Sequence, residues 1–260
     1  MSEQSFSKAA VLSIILLGLV AIIVSAFLLS SFFAIVGFSL VFWGTLLLYI
    51  IPTKNNFALL MNATAEVASA NIDRMLTSTS LSSKGIYIPT EHVNDKLPTF
   101  DHSNKRKSID NVVIFIPNSS RISMDNVLEL QLSLNDGLFI TPPGVGLCKI
   151  LEHQMGRPFS KVNLKQFISV MPSVLTKSSK FAESVDMLLE ERALTVKVVK
   201  SIFEPTCRES NKQPQTHTQV GCILSSALAC ALAMVIHKPV TIDNETRDLE
   251  SKITQTKYIF

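Results

Sequence analysis

The side chains best suited to metal or redox chemistry belong to four cysteines and five histidines. Cys207, His217 and Cys222 lie close together in the sequence and would supply three ligands to a metal ion, with a fourth from elsewhere. The cysteines form no Cys-x-x-Cys pair, which is the spacing typical of zinc sites. Cys222 also stands at the start of an apolar helix, where aligned backbone dipoles lower the pKa of a thiol and favour redox sensing or ligand capture. A small cysteine buried in a packed helix explains the same residue without any chemistry.

A second motif, Thr141-Pro-Pro-Gly144, leads directly into another predicted helix. The first backbone N–H groups of that helix would bind an anion such as a phosphate or a carboxylate. Proline has a fixed φ and no N–H, so a structural helix start explains the motif equally well. The P-loop, Ser-His-Asp, His-Glu-x-x-His and dinucleotide-binding patterns do not occur in the sequence. We therefore expect a non-enzymatic protein, and the sequence indicates no particular cofactor.

The N-terminal part of the chain differs sharply from the rest. Charged residues make up 17% of the sequence, and none of them, nor any histidine, lies between residues 9 and 51. An uncharged apolar run of about 40 residues is twice the length that one helix needs to cross a bilayer. We predict two transmembrane helices, at about 9–29 and 32–51, in a hairpin domain of residues 1–53. Small residues are predicted to form the seam between the two helices: Gly18, Ser25 and Ala26 on the first, and Gly37, Ser39 and Gly44 on the second.

The charges that flank the hairpin predict its orientation. Lys8 precedes the first span, and Lys54 and Arg74 follow the second. Because cationic flanks stay on the cytoplasmic side, an integral protein of the cell membrane with a cytoplasmic soluble domain is expected. The opposite orientation would make glycosylation acceptors of three Asn-x-Ser/Thr triplets, which begin at Asn62, Asn118 and Asn244. The net charge of +3 gives no reason to expect a nucleic-acid partner.

After the hairpin we predict a juxtamembrane helix and linker at residues 54–83, followed by a soluble α/β (α+β) domain with a mixed sheet at residues 84–260. The helix, at 57–79, carries an apolar stripe that packs on its own domain or on a second copy in a homodimer. A polar segment at 90–108 contains Lys105-Arg106-Lys107. Predicted strands cover 85–89, 112–117, 137–144, 193–203, 240–242 and 253–260. Predicted helices cover 145–155, 164–180, 182–192 and 220–236, the last as a buried core helix, and residues 204–219 are predicted to form a polar loop.

Two resemblances follow from these features. The apolar hairpin, residues 85–89, Thr141-Pro-Pro-Gly144 and the Gly221-Cys222 helix start together resemble a group of uncharacterised archaeal membrane-anchored proteins. The last 40 residues, from Gly221-Cys222 through Lys238-Pro239-Val240 to Phe260, are similar to the end of the 4-vinyl-reductase domain, a dimeric small-molecule-binding module. That resemblance implies a pocket beside the helix that begins at Cys222. The ligand-binding residues expected on these grounds are Cys222, Ser225, Ser226, Thr141 and Gly144.

Together these features favour a membrane-tethered, non-enzymatic α/β module that binds a partner protein or a small ligand at the membrane surface. One alternative is an accessory subunit of a larger membrane complex, in which the hairpin is the assembly surface. Another is a cysteine-dependent redox or metal-binding sensor.

Overall fold

The computed structural model describes residues 2–50, 70–79, 81, 83–92, 111–119, 122–127, 136–210, 214–248 and 250–260. The chain divides into two compact units, residues 1–61 and 62–260. Residues 57–69 of the predicted juxtamembrane helix and Lys105-Arg106-Lys107 lie outside the described residues.

The first unit contains two antiparallel helices that pack on each other, α1 (Ser2–Leu28) and α2 (Ser31–Ile50). Leu29 turns the chain between them with a φ of 47°. The Ser25 hydroxyl donates to the Ser30 carbonyl at 2.8 Å, which ties the end of α1 to the turn. Two helices therefore cover the predicted spans, and α1 begins at Ser2 instead of near residue 9.

Glycines allow the two helices to approach closely. Gly18, Gly37 and Gly44 are buried, and a Cβ at Gly37 would lie 2.8 Å from the Gly18 carbonyl oxygen. The glycine part of the predicted seam is thus confirmed. Ala26 and Ser39 are exposed instead, because they lie off the stripe of residues three and four apart that faces the other helix.

The second unit is built on a seven-stranded sheet with the order β3-β2-β1-β6-β7-β5-β4. Every described pairing is antiparallel, so the predicted mixed sheet is wrong. Tight hairpins join β4 to β5 and β6 to β7, and such connections produce antiparallel neighbours. The strands are β1 (Ile86–Pro89), β2 (Val112–Pro117), β3 (Gly137–Ile140), β4 (Ser184–Leu189), β5 (Ala193–Val199), β6 (Val240–Asp248) and β7 (Ile253–Ile259).

Helices accompany the sheet at several points along the chain. Residues 70–79 are helical (α3), and the later helices are α4 (Val145–Met155), α5 (Leu164–Ser173), α6 (Glu204–Ser210), α7 (Pro214–Val220) and α8 (Ile223–Ile236). The helix predicted at 182–192 is wrong, because β4 pairs with β5 across a turn in which the Glu190 N–H donates to the Ala193 carbonyl at 2.8 Å. The polar loop predicted at 204–219 is also wrong, since α6 and α7 lie there.

The core lies between the sheet and α8. Every residue from Leu224 to Val235 is buried. The stretch Gln215–Ile236 is long and apolar enough to cross a membrane, but 89% of its 18-residue apolar window is buried inside the protein. The prediction of a buried core helix is therefore confirmed.

Candidate functional site

A β-bulge in β6 places two charged side chains in the interior. The register shifts between Ile242 and Asn244, so that Ile242 pairs with Tyr258 and Glu245 pairs with Thr256. Side chains of a regular strand alternate between faces, and residues three apart would point to opposite sides. The extra residue in the bulge brings Glu245 back to the face of the sheet on which Ile242 lies. Glu245 and Arg247, two residues later, therefore both lie on the side that α8 covers.

Glu245 lies at the centre of a buried polar cluster, which consists of Cys207, His217, Cys222, Ser225, Glu245 and Arg247. The Glu245 side chain is 3% exposed and forms an ion pair with Arg247. Its Oε2 accepts a hydrogen bond from the Ser225 hydroxyl at 2.5 Å and from the Cys222 backbone N–H at 3.4 Å. The carboxylate therefore joins β6 to the start of α8.

His217 on α7 lies beside this ion pair. Its Nε2 lies 3.2 Å from Glu245 Oε1 and 3.0 Å from Arg247 Nη2. One imidazole nitrogen cannot donate to the carboxylate and accept from the guanidinium at once, so the proton on Nε2 decides which hydrogen bond forms.

The charges in the cluster stabilise one another. Burial alone would raise the pKa of Glu245, but the hydrogen bond with His217 and the charge of Arg247 lower it to about 2. Burial opposes the charge of Arg247 as well, yet Glu245 raises the pKa of the guanidinium above its ordinary value. Both groups are ionised at neutral pH.

Two thiols meet beside this ion pair. Cys222 is the N-cap residue of α8, and its thiol hydrogen-bonds with that of Cys207 on α6. Arg247 Nη1 donates to the Cys207 carbonyl, and the Ser225 hydroxyl oxygen lies 3.3 Å from Cys222 Sγ. A cavity of about 10 Å³ reaches both cysteines.

The hydrogen bond makes the two thiols chemically different. Burial opposes ionisation of Cys222, but the hydrogen bond from Cys207 and the charge of Arg247 lower its pKa below the ordinary value. The same hydrogen bond, together with burial, raises the pKa of Cys207. Cys222 is therefore the more acidic thiol of the pair.

The structure thus brings together Cys207, His217, Cys222 and Ser225, all of which the sequence suggested. Within the part of the chain that the structure describes, no three His, Cys, Asp or Glu side chains are arranged to hold a metal ion. Sequence reasoning missed Glu245 and Arg247, which are the centre of the cluster. The one sequence signal for them is that these two charged residues follow shortly after the apolar strand predicted at 240–242.

The remaining predicted ligand-binding residues lie elsewhere. Thr141 is exposed. The N–H of Gly144, at the start of α4, donates to the buried Ser226 hydroxyl at 3.1 Å. A Cβ at Gly144 would lie 2.1 Å from the Ala227 backbone nitrogen. Gly144 and Ser226 thus join α4 to α8, and their ligand-binding role stays a prediction.

A separate open cleft of about 460 Å³ lies at the C-terminal end of α8, and we call it the His237 cleft. His237 caps α8 with a φ of 53°. Its Nδ1 lies 2.6 Å from Glu91 Oε1, and its Nε2 lies 3.1 Å from the Ser160 carbonyl oxygen. Both ring nitrogens face acceptors, which a protonated imidazole satisfies, and the hydrogen bond to Glu91 raises the pKa of His237. The other residues that line the His237 cleft are Pro89, Thr90, Asn111, Glu152, Pro158 and Met234.

Comparison with known proteins places the chain in a family. No curated protein and no solved structure matches it. The resemblances to archaeal proteins and to the 4-vinyl-reductase domain stay predictions. One family model, described as a domain of unknown function (DUF7982), matches residues 2–257, which is nearly the whole chain. The prediction of an uncharacterised family is thereby confirmed, and the chain belongs to the DUF7982 family.

Proposed function

We propose that the protein is a non-enzymatic binding module, tethered to the membrane by α1 and α2, whose α+β domain binds a small ligand or a partner protein at the membrane surface. The observation that carries this proposal is the surface of the helical hairpin between residues 9 and 51, which is apolar on all sides and carries no charged residue.

The hairpin meets the physical requirements of an anchor. Large apolar side chains are exposed along both helices, including Leu16, Phe27, Phe38 and Trp43, which are each more than half exposed. Soluble proteins rarely expose a continuous apolar surface of this kind. At 1.5 Å per residue, the 20 residues of α2 extend about 30 Å, which equals the hydrocarbon thickness of a bilayer.

The polar side chains on the hairpin also suit a lipid environment. The Ser13 hydroxyl donates to the Ala10 carbonyl at 2.7 Å, and the Thr45 hydroxyl donates to the Val41 carbonyl at 2.7 Å. Each hydroxyl is therefore satisfied within its own helix, as a group inside the hydrocarbon must be.

The His237 cleft supports the ligand-binding part of the proposal. Its volume of about 460 Å³ lies within the range of small-molecule sites, about 300–1,000 Å³. Glu91 and Glu152 contribute carboxylates to its wall, and Met234 contributes an apolar contact. Because the Glu91 carboxylate pairs with His237, the Glu152 carboxylate leaves the cleft with a net negative charge, which suits a cationic ligand that donates hydrogen bonds.

Membrane fractionation tests the anchor. We expect the full chain to stay with the membranes after an alkaline carbonate wash and to dissolve only in detergent. A variant that lacks residues 2–52 should appear in the supernatant. Release of the full chain by carbonate would refute the anchor. Digestion by protease added outside sealed cells would refute the proposed cytoplasmic orientation.

Thermal unfolding of the full chain in detergent tests the cleft. We expect the cation spermidine to raise the midpoint and the anion citrate not to raise it. In a Glu91→Gln/Glu152→Gln variant, spermidine should no longer raise the midpoint. Glu190 follows β4, outside the cleft lining, and its side chain is 49% exposed, so Glu190→Gln should keep the full spermidine effect. An equal response in both variants would show that spermidine binds elsewhere. Turnover of a substrate, lost when one residue is changed, would refute a non-enzymatic role.

The same uncharged hairpin surface favours one alternative, an accessory subunit whose helices pack against other membrane proteins. Purification in a mild detergent separates the two proposals. A stable complex with other chains would support the subunit, and a lone monomer or dimer would support the independent module.

A further inference from the structure

We propose that Cys207 and Cys222 form a reversible disulfide when a small hydroperoxide reaches them, so that the domain carries a redox-sensitive cross-link between α6 and the start of α8. This inference concerns the buried polar cluster and does not depend on a ligand in the His237 cleft.

The two cysteines are held side by side before any reaction. Their thiols are hydrogen-bonded, although fourteen residues of chain separate them. Arg247 binds the backbone carbonyl of Cys207, and Glu245 accepts from the backbone N–H of Cys222. One ion pair on β6 therefore holds the backbone of both cysteines.

The environment assigns different roles to the two thiols. The more acidic Cys222 lies at a helix N-terminus beside Arg247, where the thiolate is favoured. Cys207 stays protonated, and its S–H donates a hydrogen bond to Cys222. Cys222 is thus the attacking thiol, and Cys207 is the thiol that resolves the intermediate.

The reaction is balanced with the hydroperoxide as the oxidant. The Cys222 thiolate attacks one peroxide oxygen, the O–O bond breaks, and the leaving hydroxide takes up the proton that Cys222 lost. The Cys207 sulfur then attacks the sulfenic acid sulfur, the S–O bond breaks, and the hydroxide leaves as water with the Cys207 proton. In total two thiols lose two electrons and two protons, and hydrogen peroxide becomes two molecules of water. An external dithiol restores the thiols by exchange.

The size of the cavity selects the oxidant. A volume of about 10 Å³ is close to the smallest that holds one water molecule, so hydrogen peroxide, only slightly larger than water, needs less local opening to reach the sulfurs than a bulky reagent does. We therefore expect peroxide to oxidise the native protein faster than an aromatic disulfide does.

Peptide mapping of the full chain in detergent tests the proposal. After treatment with hydrogen peroxide, denaturation and alkylation, we expect a peptide that links Cys207 to Cys222, lighter by about 2 Da than the two thiol peptides together. Dithiothreitol should remove the link. A link that involves Cys148 or Cys230 instead, or Cys222 oxidised to sulfinic acid without any link, would overturn the proposal.

Serine variants separate the two roles. Cys222→Ser should abolish the link and leave Cys207 as a thiol. Cys207→Ser should let the Cys222 sulfenic acid accumulate, so that labelling by dimedone added together with the denaturant rises about tenfold over wild type. Cys148→Ser, at a buried cysteine on α4, is the matched control and should link normally. Equal dimedone labelling of wild type and Cys207→Ser would refute the resolving role of Cys207. The peptide mapping of the wild-type protein decides the proposal even if a variant fails to fold.

Discussion

Glu245→Gln removes the negative charge at the centre of the buried polar cluster while keeping the volume of the side chain. The pKa of Glu245 falls from an ordinary value of 4.5 to about 2 in the folded protein. That difference of about 2.5 pH units corresponds to about 3 kcal/mol of unfolding free energy that depends on the ionised carboxylate. The variant also deprives the buried Arg247 of its carboxylate, a change that typically costs about 3–5 kcal/mol. We expect Glu245→Gln to lower the free energy of unfolding at pH 7 by about 3 kcal/mol.

The pH dependence of this loss has a definite sign. Because folding lowers the pKa of Glu245, its contribution is complete above pH 4.5 and is lost as the pH falls toward 2. The stability difference between wild type and Glu245→Gln should therefore shrink, to less than half of its neutral value near pH 3. Urea unfolding of the full chain in detergent, followed by far-UV circular dichroism at pH 7 and pH 3, measures both differences.

A surface ion pair provides the control. Asp125 lies 2.8 Å from Arg192, and both side chains are more than 70% exposed. Asp125→Asn should cost only about 0–1 kcal/mol. If Glu245→Gln costs no more than this control, or if its cost is the same at pH 7 and pH 3, then Glu245 is not an ionised buried carboxylate and the account of the cluster is wrong.

Gly144→Ala should destabilise the domain by about 1–3 kcal/mol, because its Cβ would lie 2.1 Å from the Ala227 backbone nitrogen. Gly146 lies two residues later in α4 and has open space around it, so Gly146→Ala should stabilise the domain by about 0.5–1 kcal/mol. Urea unfolding measures both variants, and equal destabilisation by the two substitutions would refute the close contact at Gly144. The NMR titration midpoint of His237 should lie above the ordinary histidine pKa of 6.5 and fall toward it in Glu91→Gln. An unchanged midpoint in that variant would show that the hydrogen bond is not formed.

Local signals in the sequence predicted much of the fold correctly. Helix α4 begins after Gly144 and ends at Gly156, whose φ of 70° few other residues adopt. A short apolar run that ends in Pro117 predicts strand β2. These boundaries depend on the residues at the ends of the element itself.

Features that depend on distant pairing were missed. The apolar residues of 184–189 fit a helix or a strand equally well, and only pairing with β5 decides between them. The direction of the strands likewise follows from pairings such as β1 with β6, in which Tyr87 pairs with Val240, more than 150 residues later. A single sequence carries no signal for such pairs.

The candidate site was predicted in part for the same reason. Cys207, His217 and Cys222 are close in sequence, so their proximity in space was expected. Glu245 and Arg247 enter the cluster only through the bulge in β6, and a regular strand would have turned Glu245 to the opposite face. A one-residue irregularity of this kind is set by packing against α8 and leaves no composition signal.

The bulge also explains why charge is found in an otherwise apolar core. A buried ion pair gains little net stability, because the cost of removing two charges from water offsets most of their attraction. The ion pair instead fixes the positions of three segments. Glu245 and Arg247 form hydrogen bonds to α8, to α7 and to the backbone of α6, and apolar packing alone would not fix the register of these segments. The two thiols meet at the point where these segments are joined. The register of β6, the placement of α6 and the pairing of Cys207 with Cys222 are therefore consequences of the same two charged residues.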